Sequence, residues 1–256
     1  MFIHTINPVL LELGPLQIRW YGLVFLFGAL LAYGMLVRAQ KKGKLPLTAN
    51  EVSDLILWLV AGVVLGSRVF FFAFYRPDLF SLTEFFAVWR GGLSFHGGLA
   101  GIAVAAALFC RRKKIAFLQL ADILSAPMML ALALGRIANF INGELWGTAS
   151  SVQWCVNFRN TGGGDVCRHP YQLYEMAKRL IAFGWLLFLG RKQFAQGFVF
   201  WNFVLFEGLG RFVLDFWKEE AVHLGLTSGQ WLSAVMVGAA LYFLIKKHRA
   251  DVRRLF

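Results

Sequence analysis

The chain has 256 residues, 58% of them hydrophobic and only 16% charged, with a formal net charge of +12. Soluble domains are nearer a quarter charged, and several apolar runs here approach the ~20 residues that cross a bilayer as a helix. The composition therefore excludes an ordinary soluble domain and points to an integral membrane protein. The basic surplus does not point to nucleic acid either, because the cations lie in short clusters between apolar runs: Arg38 to Lys44, Arg111 to Lys114, Arg191-Lys192 and Lys246 to Arg254.

In chain order, Met1 to Gly14 has no basic n-region and no small-residue cleavage site after an apolar core, so no cleavable signal peptide is expected. Seven transmembrane helices are predicted, over roughly 20–37, 55–75, 92–110, 120–141, 176–190, 197–216 and 230–245. The expected fold class is thus all-α and polytopic: one integral membrane domain over 1–256, with an external loop at about 142–171. The fifth span carries Lys178 and Arg179 in its first turns, where they are expected to snorkel towards the headgroups.

The loops after spans one, three, five and seven hold 4, 4, 2 and 5 Lys or Arg, which is 15 of the 26 in the chain. The opposite loops are sparser, with Arg76, Arg90, Arg159, Arg168 and Lys218. The positive-inside rule then puts the N-terminus outside and the C-terminus in the cytoplasm. With that orientation Arg68, His96, Arg136, Asn139, Arg211 and Asp215, from four spans, all fall in the outer half of the bilayer. Ionisable groups at that depth are costly and mark function by default, so a polar cavity open to the external side or outer leaflet is expected.

Arg19-Trp20-Tyr21-Gly22 opens span one, and its aromatics either belong to an interfacial belt or, in the case of Tyr21, line the cavity. Gly91-Gly92-Leu93-Ser94-Phe95-His96-Gly97-Gly98-Leu99 leads into span three. Its glycines either let backbone approach a ligand or serve helix packing. His96, the only histidine within a predicted span, is either a general base or an interhelical hydrogen-bonding group. The run Gly135 to Gly147 sets Arg136, Asn139, Asn142 and Glu144 at the end of span four. Arg136 and Arg211 suit bidentate phosphate contact. The plainer reading is ion pairing, of Arg136 with Glu144 and of Arg211 with Asp215. Glu207, Arg211 and Asp215 are spaced i, i+4, i+8, so both carboxylates are expected to hold Arg211.

Arg168 to Glu175 suits an outer lid, with Pro170 marking a helix start. Cys155 and Cys167 share the external loop and would pair in an oxidising compartment, while Cys110 lies at the cytoplasmic end of span three. No His/Glu helix motif suggests a metal, and no GxGxxG or Walker loop suggests a nucleotide cofactor.

Arg136-to-Gly147, Ser94-to-Gly98 and Arg168-to-Glu175, supported by Trp20-Tyr21-Gly22, Gly66-Ser67-Arg68, Asp122 and Ser228-Gly229-Gln230, resemble the prolipoprotein diacylglyceryl transferase family in order and over nearly the whole chain. The resemblance implies an enzyme of the bacterial inner membrane. Its reaction would move a diacylglyceryl group from phosphatidylglycerol to the lipobox cysteine thiol of a prolipoprotein signal peptide, releasing glycerol phosphate without metal or cofactor. By the same resemblance Arg136 would bind the lipid phosphate, and Arg211 would assist it or stabilise the leaving charge. His96, Tyr21, Asn139 and Glu144 would complete the site, with Arg68, Gly97, Gly98 and Asn142 also against the lipid. The chain departs from the pattern at Asp215 (usually Glu), Glu207 (often Tyr), Phe71 (often Tyr) and Lys218 (often Arg). Another lipid-headgroup transferase, or a lipid or anion transporter, is the competing reading. The transporter is disfavoured by the nearly uncharged inner halves of the spans.

Overall fold

The computed structural model describes every residue except Met1, Pro15, Trp89, Arg90 and Phe256, and gives no side-chain environment for Leu13, Leu16, Phe25 and Phe95. Arg90, one of the sparse cations expected in the external loops, thus lies outside the described residues. The chain is mostly helical and divides into two compact units, Tyr33–Leu120 and the remainder, Met1–Ala32 with Ala121–Phe256. Among the described residues four helices are long and apolar enough to cross a membrane: Trp20–Lys41 (α1), Ala49–Phe70 (α2) with its π-helical extension to Tyr75, Phe117–Asn142 (α5) and Ser228–Lys247 (α8). Helices also cover Phe95–Lys113 (α4), Tyr171–Arg191 (α6) and Phe198–Leu214 (α7). These three are less apolar or shorter: α4 is rich in Gly and Ala, α6 carries Glu175, Lys178 and Arg179, and α7 has 17 residues.

The smaller unit is built on the pairing of α2 with α4. Thr48 and Glu51 form a capping box at the start of α2, and Ser94 accepts from the Gly97 amide at the start of α4. Gly62 and Gly66 on α2 face Gly97 and Gly101 on α4. A Cβ on Gly62 would stand 2.6 Å from the Gly101 carbonyl oxygen, and one on Gly66 or Gly97 would overlap the opposite backbone. Small residues four apart on both helices let the backbones touch, which is how helices associate where lipid removes the hydrophobic drive. At the other end Lys113 reaches Glu51 across 2.7 Å.

The larger unit pairs α7 with α8 and α6 with α7, and adds small sheets outside the helices. Val9–Leu13 (β2) and Leu16–Arg19 (β3) form an antiparallel hairpin directly before α1. Phe2–Ile3 (β1), Val156–Asn157 (β4) and Cys167–Arg168 (β5) form a three-stranded sheet in the order β1-β4-β5. A Cys155–Cys167 disulfide, Cα atoms 5.5 Å apart, ties β5 to the residue before β4. The chain is therefore mostly rather than wholly helical; the strands lie in the segments where no span is predicted. Asp122 on α5 accepts from the Gly197 and Phe200 amides, each at 2.7 Å, and so satisfies N–H groups at the start of α7 that have no partner within the helix. Thr227 and Gln230 form a capping box on α8.

Candidate active site

The signature run is shaped by how α5 ends. Gly143 adopts φ +67°, its amide donates to the Phe140 carbonyl at 2.9 Å, and the Glu144 amide reaches the Asn139 carbonyl at 3.1 Å. That is a Schellman closure with glycine in the left-handed position. It folds Glu144 back over the last turn of α5, where its Oε1 accepts from Asn139 at 2.8 Å and from Asn142 at 3.1 Å. The Tyr21 hydroxyl hydrogen-bonds the Asn139 side chain, with Glu144 and Arg136 close enough to act on it electrostatically. Gln172 on α6 donates to the Glu144 carbonyl at 2.6 Å. Four predicted site residues, Tyr21, Asn139, Asn142 and Glu144, thus form one hydrogen-bonded group beside Arg136.

The segment beyond is held by its neighbours. The Gly147 amide donates to the His169 carbonyl at 3.0 Å, and the Thr148 amide to the Trp217 carbonyl at 2.8 Å. A Cβ on Gly147 would stand 2.6 Å from the Trp217 oxygen and 2.9 Å from the His169 oxygen, so only glycine fits between these two segments. Arg168 stacks over Trp146, donates to the carbonyls of Gly163 and Gly147, and pairs with Glu219. It works as a tie within the cap.

Arg136 does not pair with Glu144. Its nearest carboxylate is Glu175 on α6, 3.5 Å from Nη2, and its guanidinium lies 6.0 Å over the Tyr171 ring. The Tyr171 hydroxyl donates to Asp215 Oδ1, and Asp215 Oδ2 holds Arg211 Nε at 3.4 Å. The expected Arg211–Asp215 pair is therefore present, and Gly229 at the start of α8 makes room for it: a Cβ there would stand 3.0 Å from Arg211 Nη2.

Two expectations are corrected. Glu207 does not hold Arg211; it grips Arg179 with both oxygens and lies 3.4 Å from Lys178 Nζ. The i, i+4 spacing allowed the Arg211 pairing, but α6 presents a guanidinium that meets both oxygens at once, a stronger contact. Lys178 and Arg179 do not snorkel. Arg179 is 3% exposed, and the Lys178 stem lies across Gly210 of α7, where any Cβ would overlap it. Sequence reasoning reads Tyr171, Gln172 and Glu175 only as part of a lid segment and Arg179 as a snorkelling cation, and names none of them as a site residue. The signal was available in three charges within one turn of a predicted span.

The remaining candidates are carried by the smaller unit. Arg68 is 2% exposed, and its guanidinium donates to the backbone carbonyls of Phe85 (2.9 Å), Gly91 (2.5 Å), Gly92 (3.2 Å) and Glu84. Gly92, at φ +72°, lies against it. Gly97 and Gly98 face Gly66 and Ser67 of α2, which is the packing role. His96 is exposed, in the first turn of α4. Among the described residues no group of three or more His, Cys, Asp or Glu has the arrangement to hold a metal ion.

The family model described as prolipoprotein diacylglyceryl transferase matches residues 8–246. A phosphatidylglycerol–prolipoprotein diacylglyceryl transferase of Geobacter sulfurreducens is 41% identical over 242 residues, covering 93% of this chain and 92% of the relative. Proteins of the same name from Bordetella parapertussis and Idiomarina loihiensis are 41% and 40% identical, over 93% and 94% of this chain and 94% and 93% of their own lengths. With the family model matched over residues 8–246 and relatives of about 40% identity along nearly the whole chain, this chain belongs to the prolipoprotein diacylglyceryl transferase family.

Proposed function

We propose that this protein transfers the diacylglyceryl group of phosphatidylglycerol to the lipobox cysteine thiol of prolipoprotein signal peptides, releasing glycerol phosphate. The observation that carries the reading is Arg136. It is nearly buried, has one long carboxylate contact at 3.5 Å, and stands beside an amide–carboxylate group suited to glycerol hydroxyls. A guanidinium in that state gains most from a phosphate, which accepts two parallel hydrogen bonds.

In the reaction the cysteine thiolate attacks the glyceryl carbon, a C–S bond forms, and the C–O bond to phosphate breaks with its electron pair leaving on glycerol phosphate. Arg136 binds the phosphate. Arg211, half-exposed and steadied by Asp215, stabilises the charge that grows on the leaving group. Asn139, Asn142, Glu144 and Tyr21 orient the glycerol moiety. His96 takes the thiol proton, since thiolate and not thiol is the nucleophile and imidazole is a ready proton acceptor. Arg68, Gly97 and Gly98 act by shaping the helix pair that carries His96. No step needs a metal or cofactor.

The proposed topology has seven spans, α1, α2, α4, α5, α6, α7 and α8, in the bacterial inner membrane, with the N-terminus periplasmic and the C-terminus cytoplasmic. The Cys155–Cys167 disulfide supports it, because disulfides form and persist in oxidising compartments and a periplasmic α5–α6 loop would lie in one. The basic clusters then fall on the opposite side. The decisive experiment incubates purified protein with phosphatidylglycerol vesicles and a lipobox peptide. The peptide should gain the diacylglyceryl mass on its cysteine. No gain, with lipid and peptide both in excess, would refute the activity.

A further inference from the structure

The buried charges behind Arg136 do not balance. Arg136, Lys178 and Arg179 face Glu175 and Glu207, three cations against two carboxylates, joined by ion pairs on α5, α6 and α7. Glu175 is wholly buried. Its Oε1 accepts from Lys178 at 3.0 Å. Its Oε2 lies 2.8 Å from Arg179 and 3.5 Å from Arg136, yet accepts a well-formed hydrogen bond from neither. Arg179 is satisfied by both oxygens of Glu207 and by the Leu132 carbonyl. Lys178 is shared between the two carboxylates. The surplus charge therefore settles on Arg136, the member with the longest contact and the most exposed side chain, at 16%. The next carboxylate, Glu144, is held by two amides and does not enter the ion-paired set.

A surplus charge among buried groups is costly and is relieved by a ligand of the opposite sign. Lys178 is what makes the set odd. Gly210 gives its stem room to lie inward instead of reaching for a headgroup. We propose that Lys178 and Glu207 are specificity-determining residues: together they fix one surplus positive charge at Arg136, and this selects a lipid with a single net negative charge, a phosphodiester such as phosphatidylglycerol, over zwitterionic phospholipids. The inference rests on the functional reading above and extends it from the phosphate contact to the lipid's net charge.

The prediction concerns charge count, not either side chain alone. Lys178→Met keeps the stem and removes the surplus. It should raise KM for phosphatidylglycerol ~10-fold, with kcat within ~3-fold, as loss of ground-state binding does. Competition by phosphatidylethanolamine should strengthen in the same proportion. Glu207→Gln in the Lys178→Met background restores one surplus charge and should bring the discrimination back to within ~3-fold of wild type. A purely structural role predicts the reverse: the double variant would be worse than the single, kcat would fall with KM, and both would track the melting temperature. Lys178→Gln is measured in parallel as the milder change, and failure of both Lys178 variants to fold counts against the proposal. Unchanged discrimination in Lys178→Met, or no recovery in the double variant, overturns it. Lipid binding without peptide separates this from the broader reading. Wild-type protein that prefers anionic vesicles but never modifies the peptide would sink the transferase and spare the charge selection. Normal transfer with no Lys178 dependence would sink the charge selection alone.

Discussion

Two arginines, one in each unit, are satisfied in opposite ways. Arg68 in the smaller unit is 2% exposed and donates to four backbone carbonyls around the loop from α3 (Leu82–Phe86) to α4. Arg136 in the larger unit has one ion pair at 3.5 Å and an aromatic ring 6.0 Å away. Sequence depth alone ranks them equally, because both stand late in an apolar helix. What separates them is saturation: a guanidinium with four of its five N–H donors engaged by its own backbone is a structural tie, and one whose donors are underused has capacity for a ligand. Burial of a charge marks an expense, and the state of its hydrogen bonds shows what offsets it.

The sharpest way to break this contrast is the same change at both positions. Arg136→Lys should lower turnover ~100- to 1,000-fold while the protein inserts and folds normally, since lysine keeps the charge and loses the bidentate geometry. Peptide lipidation beside a thermal melt checks it, and near wild-type turnover would end the phosphate-clamp role. Arg68→Lys should do the opposite. Three or more carbonyls lose their donor at once, so stability should fall by ~2–3 kcal/mol, read as a lower melting temperature. The folded fraction should keep its KM. A raised KM with an unchanged melt would return Arg68 to the lipid site.

Legibility in the sequence divided along a related line. The end of α5 was readable: Asn142-Gly143 closes a helix by a local rule, and local rules survive in any context. So were the Arg211–Asp215 pair, one turn apart on one helix, and the start of α6 just after Pro170. The pairing of Glu207 was not readable, because a carboxylate on one helix chooses among cations on its own helix and on the next, and only the packing of α6 on α7 decides. Lys178 and Arg179 misled for the same reason. Snorkelling is the default for a cation near a span end, and Gly210 on a different helix removes the need for it here.

The disulfide-bonded loop between α5 and α6 offers a weaker probe of the same contrast, since it adjoins the proposed site residues without containing the arginines. Removing the Cys155–Cys167 bond with a double Cys→Ser change frees a short loop, for which chain entropy predicts a loss of ~2–3 kcal/mol. The melting temperature should drop, while turnover of the folded protein at low temperature should change less than ~3-fold. A larger fall in turnover without a change in melt would make the cap part of the site.

The smallest expected effect tests whether the larger unit's arginines are steadied through one tyrosine. Tyr171 is 1% exposed; its ring lies under Arg136 and its hydroxyl donates to Asp215, which in turn holds Arg211. Tyr171→Phe keeps the ring, so the Arg136 contact should persist. It removes one hydrogen bond to a buried carboxylate, leaving Asp215 Oδ1 without its donor. The cost should be ~1–2 kcal/mol, appearing as a several-fold fall in kcat with KM nearly unchanged if, as proposed, Arg211 acts on the leaving charge and not on ground-state binding. If Tyr171 works through Arg211, the same change in an Arg211→Lys background should have a much smaller effect. An equal effect in both backgrounds would show that the tyrosine serves Arg136 or the fold directly, and the chain from Arg136 through Tyr171 to Arg211 would not be a unit.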